Sequence, residues 1–132
     1  MGKILPYDPD KFSYKGEMKD GKPHGKGICY WTKGHYYEGD FKNGKPHGYG
    51  KETWEDGSHY EGNVKDDKRS GKGELHFANG NRYEGEWKDD KRNGKGVLYY
   101  AGGDRYDGEW EDDKRNGKAV YYYTDGGVMK VR

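Results

Sequence analysis

Long apolar runs are missing from this chain. No stretch approaches the roughly 18 consecutive apolar residues of a membrane span, and residues 1–13 lack the apolar core of a signal peptide. Gly2 invites a myristoylation reading, but Pro6 stands where that motif needs Ser or Thr. Cysteine is nearly absent as well. Cys29 alone excludes an intrachain disulfide and points to a reducing, cytoplasmic setting. Nor is there an excess of either charge: Lys plus Arg number 25 against 24 for Asp plus Glu. That balance excludes the basic field which supplies most nucleic-acid affinity. Aliphatic residues are scarce too. With 29% hydrophobic and 37% charged residues, composition alone leans towards disorder.

What is present reverses that reading. The chain has 14 Tyr, 4 Trp and 3 Phe, and they recur in phase with 24 glycines. Tyr14-Lys15-Gly16 returns as Tyr37-Glu38-Gly39, Tyr60-Glu61-Gly62, Tyr83-Glu84-Gly85 and Tyr106-Asp107-Gly108, a period of 23 without insertion. A fixed period in this range is the signature of a repeat array.

Each repeat holds two extended runs. In the first, from about Tyr36 to Lys42, Tyr37, Gly39 and Phe41 fall on one face and Glu38 and Asp40 on the other, the alternation of a half-buried strand. A polar stretch such as Asn43-Gly44-Lys45-Pro46-His47-Gly48 reads as a loop, and a second run such as Gly96-Val97-Leu98-Tyr99-Tyr100 as a strand. The joints between repeats carry Asp56-Gly57, Asn79-Gly80 and Asp125-Gly126, which read as two-residue hairpin turns. That register sets Tyr30 opposite Tyr37 and Tyr99 opposite Tyr106. It places Trp31, Trp54, Phe77, Tyr100 and Tyr123 on the face away from the motif tyrosines, although one bulge would reverse the assignment. The expected fold is all-β: an elongated, single-layer, twisted antiparallel meander of roughly ten strands.

Glycine inside a strand costs about 0.5–1 kcal/mol relative to alanine, so five in-phase copies need a steric reason. The simplest is an aromatic ring lying across bare backbone. The ends decay: residues 1–13 overlay the repeat as a degenerate half-repeat, residues 14–128 form the array, and residues 129–132 a terminal cap.

Tyr-x-Gly-x-aromatic, a polar stretch, Gly-x-Gly and an aromatic before a glycine turn together resemble the MORN repeat (membrane occupation and recognition nexus). The likeness covers residues 14–128 and departs at Met18, Val64 and Ala119. The resemblance implies a twisted antiparallel sheet whose groove binds protein segments, with catalysis left to other domains. Members include junctophilins, plant phosphatidylinositol-phosphate kinases, radial-spoke proteins of cilia and protist cytoskeletal scaffolds, which places the expected complex at the cytoskeleton or cilium.

No nucleophile elbow, phosphate loop or metal-ligand cluster is evident, so neither catalysis, a cofactor nor a metal is expected. His24 and His47 read as loop residues, and Glu38, Glu61, Glu84 and Asp107 as a solvated strand face. The basic pairs Lys68/Arg69, Lys91/Arg92 and Lys114/Arg115 stand beside Asp pairs that neutralise them, which weakens an anionic-lipid reading. The aromatics remain. An apolar stripe on a one-layer sheet marks an interaction surface, with Tyr37, Phe41, Tyr60, Tyr83 and Trp87 as anchors over Gly39, Gly62 and Gly85. The expected protein is a monomeric adaptor within a larger complex, binding a partner protein segment. The alternatives are a peripheral module on anionic phospholipids or phosphoinositides and, for assembly, an end-to-end homodimer templated by open sheet ends.

Overall fold

The computed structural model describes residues 2–4 and 12–131, with the backbone alone for 2–4. Each repeat contributes a seven-residue strand: β2 (Ser13–Lys19), β4 (Tyr36–Lys42), β6 (His59–Lys65), β8 (Arg82–Lys88) and β10 (Arg105–Glu111). A nine-residue strand follows each: β3 (Lys22–Tyr30), β5 (Lys45–Thr53), β7 (Lys68–His76), β9 (Lys91–Tyr99) and β11 (Lys114–Tyr122). β1 (Gly2–Ile4) pairs with β2, and β12 (Val128–Val131) with β11. The twelve strands stand in chain order in one open antiparallel sheet, and no helix occurs among the described residues. The expected meander is thus the fold, with two strands more than the ten anticipated. The overlay of Leu5 and Tyr7 on the repeat, the Pro6 and Pro9 breaks and the terminal Arg132 lie outside the described residues.

The two kinds of turn exchange places relative to the sequence reading. The tight two-residue turns sit inside the repeats, at Asp20-Gly21, Asn43-Gly44, Asp66-Asp67, Asp89-Asp90 and Asp112-Asp113, where both residues have positive φ. This is the backbone of a type I′ hairpin. Asp and Asn tolerate the left-handed region because their short side chains bond locally. The polar stretch that follows is therefore the start of a strand, and His24 and His47 lie in β3 and β5 rather than in loops. The joints are longer. At the second, the Trp54 carbonyl accepts from the Gly57 amide at 3.0 Å and the Trp54 amide donates to the Ser58 carbonyl at 2.9 Å, with Gly57 at φ +92°. A three-residue loop closed by a left-handed glycine has this form, and it recurs at Gly80, Gly103 and Gly126.

One extra loop residue moves the pairing by one. Tyr30 faces Tyr36 and Cys29 faces Tyr37; Tyr99 faces Arg105 and Leu98 faces Tyr106. The expected Tyr30–Tyr37 and Tyr99–Tyr106 pairs are corrected accordingly. So is the assignment of faces: Trp31, Trp54, Phe77 and Tyr100 pack against the motif tyrosines, on the same side of the sheet.

Each short strand then carries an irregularity, for instance between Gly62 and Val64 opposite β7, and this irregularity explains the motif. It frees the Asn63 carbonyl, which accepts a 2.7 Å bond from the Tyr60 hydroxyl. Tyr14, Tyr37, Tyr83 and Tyr106 make the same bond to Glu17, Asp40, Glu86 and Glu109. To reach it, the Tyr60 ring crosses Gly73 so closely that a Cβ there would stand 2.0 Å from the hydroxyl oxygen. The bulged side chain satisfies the facing strand in turn: Asp40 accepts from the Tyr49 amide at 3.0 Å and Glu86 from the Lys95 amide at 3.1 Å. Replacing Tyr60 by Phe should leave the Asn63 carbonyl without its partner. About 1 kcal/mol of stability should be lost, read as a lower urea midpoint with an unchanged slope.

The rings form a zipper across the strands. Tyr60, Trp87, Tyr83, Trp110, Tyr106 and Tyr121 meet edge to face in succession, with centroids 5.0–5.4 Å apart, the preferred aromatic geometry. Phe41 joins Tyr14 to Tyr37 in the same way. Val64 interrupts the series between these two groups.

Candidate functional site

The structure brings the eight expected partner-binding residues together, on one side of the sheet and deep within it. Tyr37 is 1% exposed, Phe41 3%, Tyr60 0%, Tyr83 0% and Trp87 4%, so these rings hold the sheet together and their faces are covered. Gly39, Gly62 and Gly85 abut facing glycines: a Cβ on Gly39 would lie 2.5 Å from the Gly50 Cα, and Gly62 and Gly85 meet Gly73 and Gly96 in the same manner. They allow strand-to-strand and ring-to-backbone approach.

What this side leaves accessible is a second aromatic series, one residue beyond each long strand. Trp31, Trp54, Phe77 and Tyr100 are half-buried and Tyr123 is 38% exposed. They form a shelf along the joints, supported from beneath by the zipper. His35 stacks between Trp31 and Trp54, at 4.6 and 5.9 Å. Its Nε2 contacts a Glu52 carboxylate oxygen at 2.5 Å. Glu52 occupies the register position held by Cys29, Leu75, Leu98 and Tyr121 in the other repeats, facing Tyr37 and Tyr60. Burial raises its carboxyl above the ordinary range, opposed by the hydrogen bond from His35. Cys29 is fully buried, and burial pushes its thiol up to about 12.

Arginines fill the remaining space. The Arg69 guanidinium lies 4.6 Å from the Trp87 ring centre, and Arg92 lies 4.4 Å from that of Trp110, within cation–π range. Each is clamped by the acid of the next turn: Arg69 Nε donates to Asp90 Oδ1 and Arg92 Nε to Asp113 Oδ1, both at 2.5 Å. The sequence reading set these arginines beside lysines on a solvated loop edge. They are tucked under the shelf instead, and the loop edge is left to lysine. Lys42 faces Lys45, Lys65 faces Lys68 and Lys88 faces Lys91 across the turns. Beside the shelf a cavity of about 540 Å³ is lined by Phe77, Tyr100, Trp110, Arg92, Lys114 and Arg115, among others.

The opposite side is polar. Glu38, Lys51, Glu61, Glu74, Glu84 and Val97 face one another in register across six strands. Directly opposed carboxylates disfavour pairing. His76 and Arg82 bond Glu74 at 3.0 and 2.8 Å and hold its carboxyl below the usual range. Among the described residues there is no group of three potential metal ligands and no helix long and apolar enough to cross a membrane.

Sequence reasoning missed the shelf as part of the tyrosine face, because register hid it. It missed Glu52 because one carboxylate in a series of apolar residues leaves no periodic signal. The signal for the shelf was present in the 23-residue recurrence of Trp31, Trp54, Phe77, Tyr100 and Tyr123. Among curated proteins, none matches this chain. The family described as MORN repeat matches five times without a gap, over residues 14–36, 37–59, 60–82, 83–105 and 106–128. Hydroxyl-capped bulges, paired glycines and this fivefold match make the chain a member of the MORN-repeat family.

Proposed function

We propose that the protein is a non-catalytic adaptor that docks a segment of a partner protein along the aromatic shelf. MORN repeats are generally protein- and membrane-interaction modules. One observation carries the finer reading: four half-buried rings and one exposed ring, at a single position of the repeat, rest on a packed layer that fixes them. Tyr and Trp are favoured binding anchors, and rings already held in place lose little freedom when a partner covers them. The cytoplasm, and a cytoskeletal or ciliary complex in which the chain is a monomer, is the setting the family resemblance favours.

A second reading keeps one observation in its favour. The opposed lysines at the turns, freed of the arginines and of Asp90 and Asp113, could face anionic headgroups at about 1 kcal/mol per cation. Proximity labelling followed by affinity measurement on the purified partner separates the two. Trp54→Ala with Tyr100→Ala should weaken a protein partner about thirtyfold and leave flotation with anionic vesicles unchanged. Lys65→Ala with Lys88→Ala should do the reverse if lipid is the ligand. Partner affinity unmoved by the shelf changes would retire the adaptor reading.

A further inference from the structure

The two edges of the sheet are tied differently. Along the turns runs a ladder of main-chain bonds: the Gly44 amide donates to the Pro23 carbonyl, Asp67 to Pro46, Asp90 to Arg69 and Asp113 to Arg92, at 2.9–3.0 Å. Along the joints the ties are made by side chains. Thr32 Oγ1 donates to Glu55 Oε2 at 2.7 Å, and Asn81 Oδ1 accepts from the Ala101 amide at 2.9 Å, as Asp104 Oδ1 does from Thr124. Thr32, Ala101 and Thr124 each directly follow a ring of the shelf.

The intervals between shelf rings are not alike. Successive rings come from strands two apart, which sets them about 10 Å from one another. One ring inserted midway then meets both neighbours within the roughly 4.5–7 Å of aromatic contact. The chain shows this occupancy once. Between Trp31 and Trp54 the His35 ring stands 4.6 and 5.9 Å from its neighbours, and the Glu52 carboxylate holds its Nε2. In the next interval Ser58 takes the place of His35, and the Arg69 guanidinium reaches to 5.9 Å from the Trp54 ring. Between Phe77 and Tyr100 the place of His35 is taken by Asn81, whose side chain is engaged by the Ala101 amide, and that of Glu52 by the buried Leu98. The cavity of about 540 Å³ lies in this interval, with Leu98 and Trp110 among its apolar lining.

We infer that this interval is a receptor for one uncharged aromatic side chain of the docked protein segment, inserted between Phe77 and Tyr100 as His35 is inserted between Trp31 and Trp54. The ring is uncharged because Leu98 offers no carboxylate like the one that holds His35, and because Arg92, Lys114 and Arg115 line the cavity. Those cations repel an imidazolium or a guanidinium and are drawn to the negative face of a neutral ring. An aliphatic side chain fills the space without that attraction and without stacking. This deepens the shelf-docking proposal and rests on it for the ligand being part of a protein, but the interval can be read without any partner.

The test is an NMR titration of the whole chain with N-acetyl-phenylalanine amide. Nuclear Overhauser contacts should join the probe ring to the Phe77 and Tyr100 rings and saturate, while Trp31 stays silent because His35 fills its interval. The cyclohexylalanine analogue, similar in size but not planar, should bind about fivefold more weakly. Asn81→His should plug the interval and weaken the probe about tenfold. The Trp87 indole N–H, bonded to the Gly73 carbonyl, should stay in place in that variant and so report an intact sheet. No saturable contact at Phe77 and Tyr100, an equal contact at Trp31, equal affinity for the two analogues, or a folded Asn81→His that binds as the unaltered chain does would overturn the inference. A silent interval would leave the adaptor reading standing, since a partner can lie across the ring edges without inserting. That reading falls separately, on partner affinity unmoved by the shelf variants.

Discussion

Gly62→Ala is expected to destabilise the protein by about 3 kcal/mol, at the upper end of overpacking costs. An added Cβ would lie 2.4 Å from the Gly73 Cα, 2.7 Å from the Lys72 carbonyl oxygen and 2.7 Å from the Tyr60 hydroxyl. Two of those three are backbone atoms of the next strand, so relief requires the strands to part. The φ of Gly62 lies outside the left-handed region, and the cost is therefore steric alone. Gly57→Ala supplies the contrast. It has φ +92° and nothing within 4 Å, so only the left-handed penalty of about 1 kcal/mol applies. Urea unfolding of both variants decides the matter: a Gly62→Ala midpoint no lower than that of Gly57→Ala would show that close strand approach does not govern the motif. The chain already carries a milder case at Ala119, which faces Gly108. One methyl fits there while its partner stays bare.

The second large effect is alkaline unfolding. Burial raises the hydroxyl pKa of Tyr14, Tyr37, Tyr60, Tyr83 and Tyr106 above the ordinary value, to about 12 for Tyr83. These groups hold their protons more tightly folded than unfolded. Their contribution is complete below the unfolded pKa of about 10 and is lost as pH rises from there through about 12. Because five groups titrate within one sheet, the loss should be steep. Circular dichroism and tyrosinate absorbance recorded together should show the strand signal collapsing as the buried phenolates appear. Full ionisation of all 14 tyrosines near the ordinary pKa, with the sheet intact, would contradict the burial described here. Tyr83→Phe should shift the collapse to higher pH.

The repeat length, both strands, their antiparallel order and the steric role of glycine were legible in the sequence, because each leaves a periodic mark. Register was not. Asp56-Gly57 is compatible with a two-residue turn and with a three-residue loop, and only the conformation of Asp56, which is not left-handed, separates them. The true two-residue turns at Asp66-Asp67 and Asp89-Asp90 lack glycine and so concealed themselves. From that single residue of slip follow the wrong face for Trp54 and the exposed role given to Tyr60. The rings named as anchors lie deeper than a groove lining would: a hydroxyl that reaches a bulge carbonyl past paired glycines is a three-dimensional relation that no spacing displays.

The ladder of turns also gives the array a mechanical polarity. Between the third and fifth repeats each rung is reinforced by an arginine–aspartate grip, whereas Pro23 and Pro46 stand at the corresponding places nearer the amino end and supply a carbonyl only. Twisting or stretching the sheet loads these rungs together with the strand seams. The carboxyl-terminal half is therefore expected to be the stiffer, with the seams of the first two repeats opening first under tension. A sheet built this way is expected to resist strain along one half of its length and to give along the other.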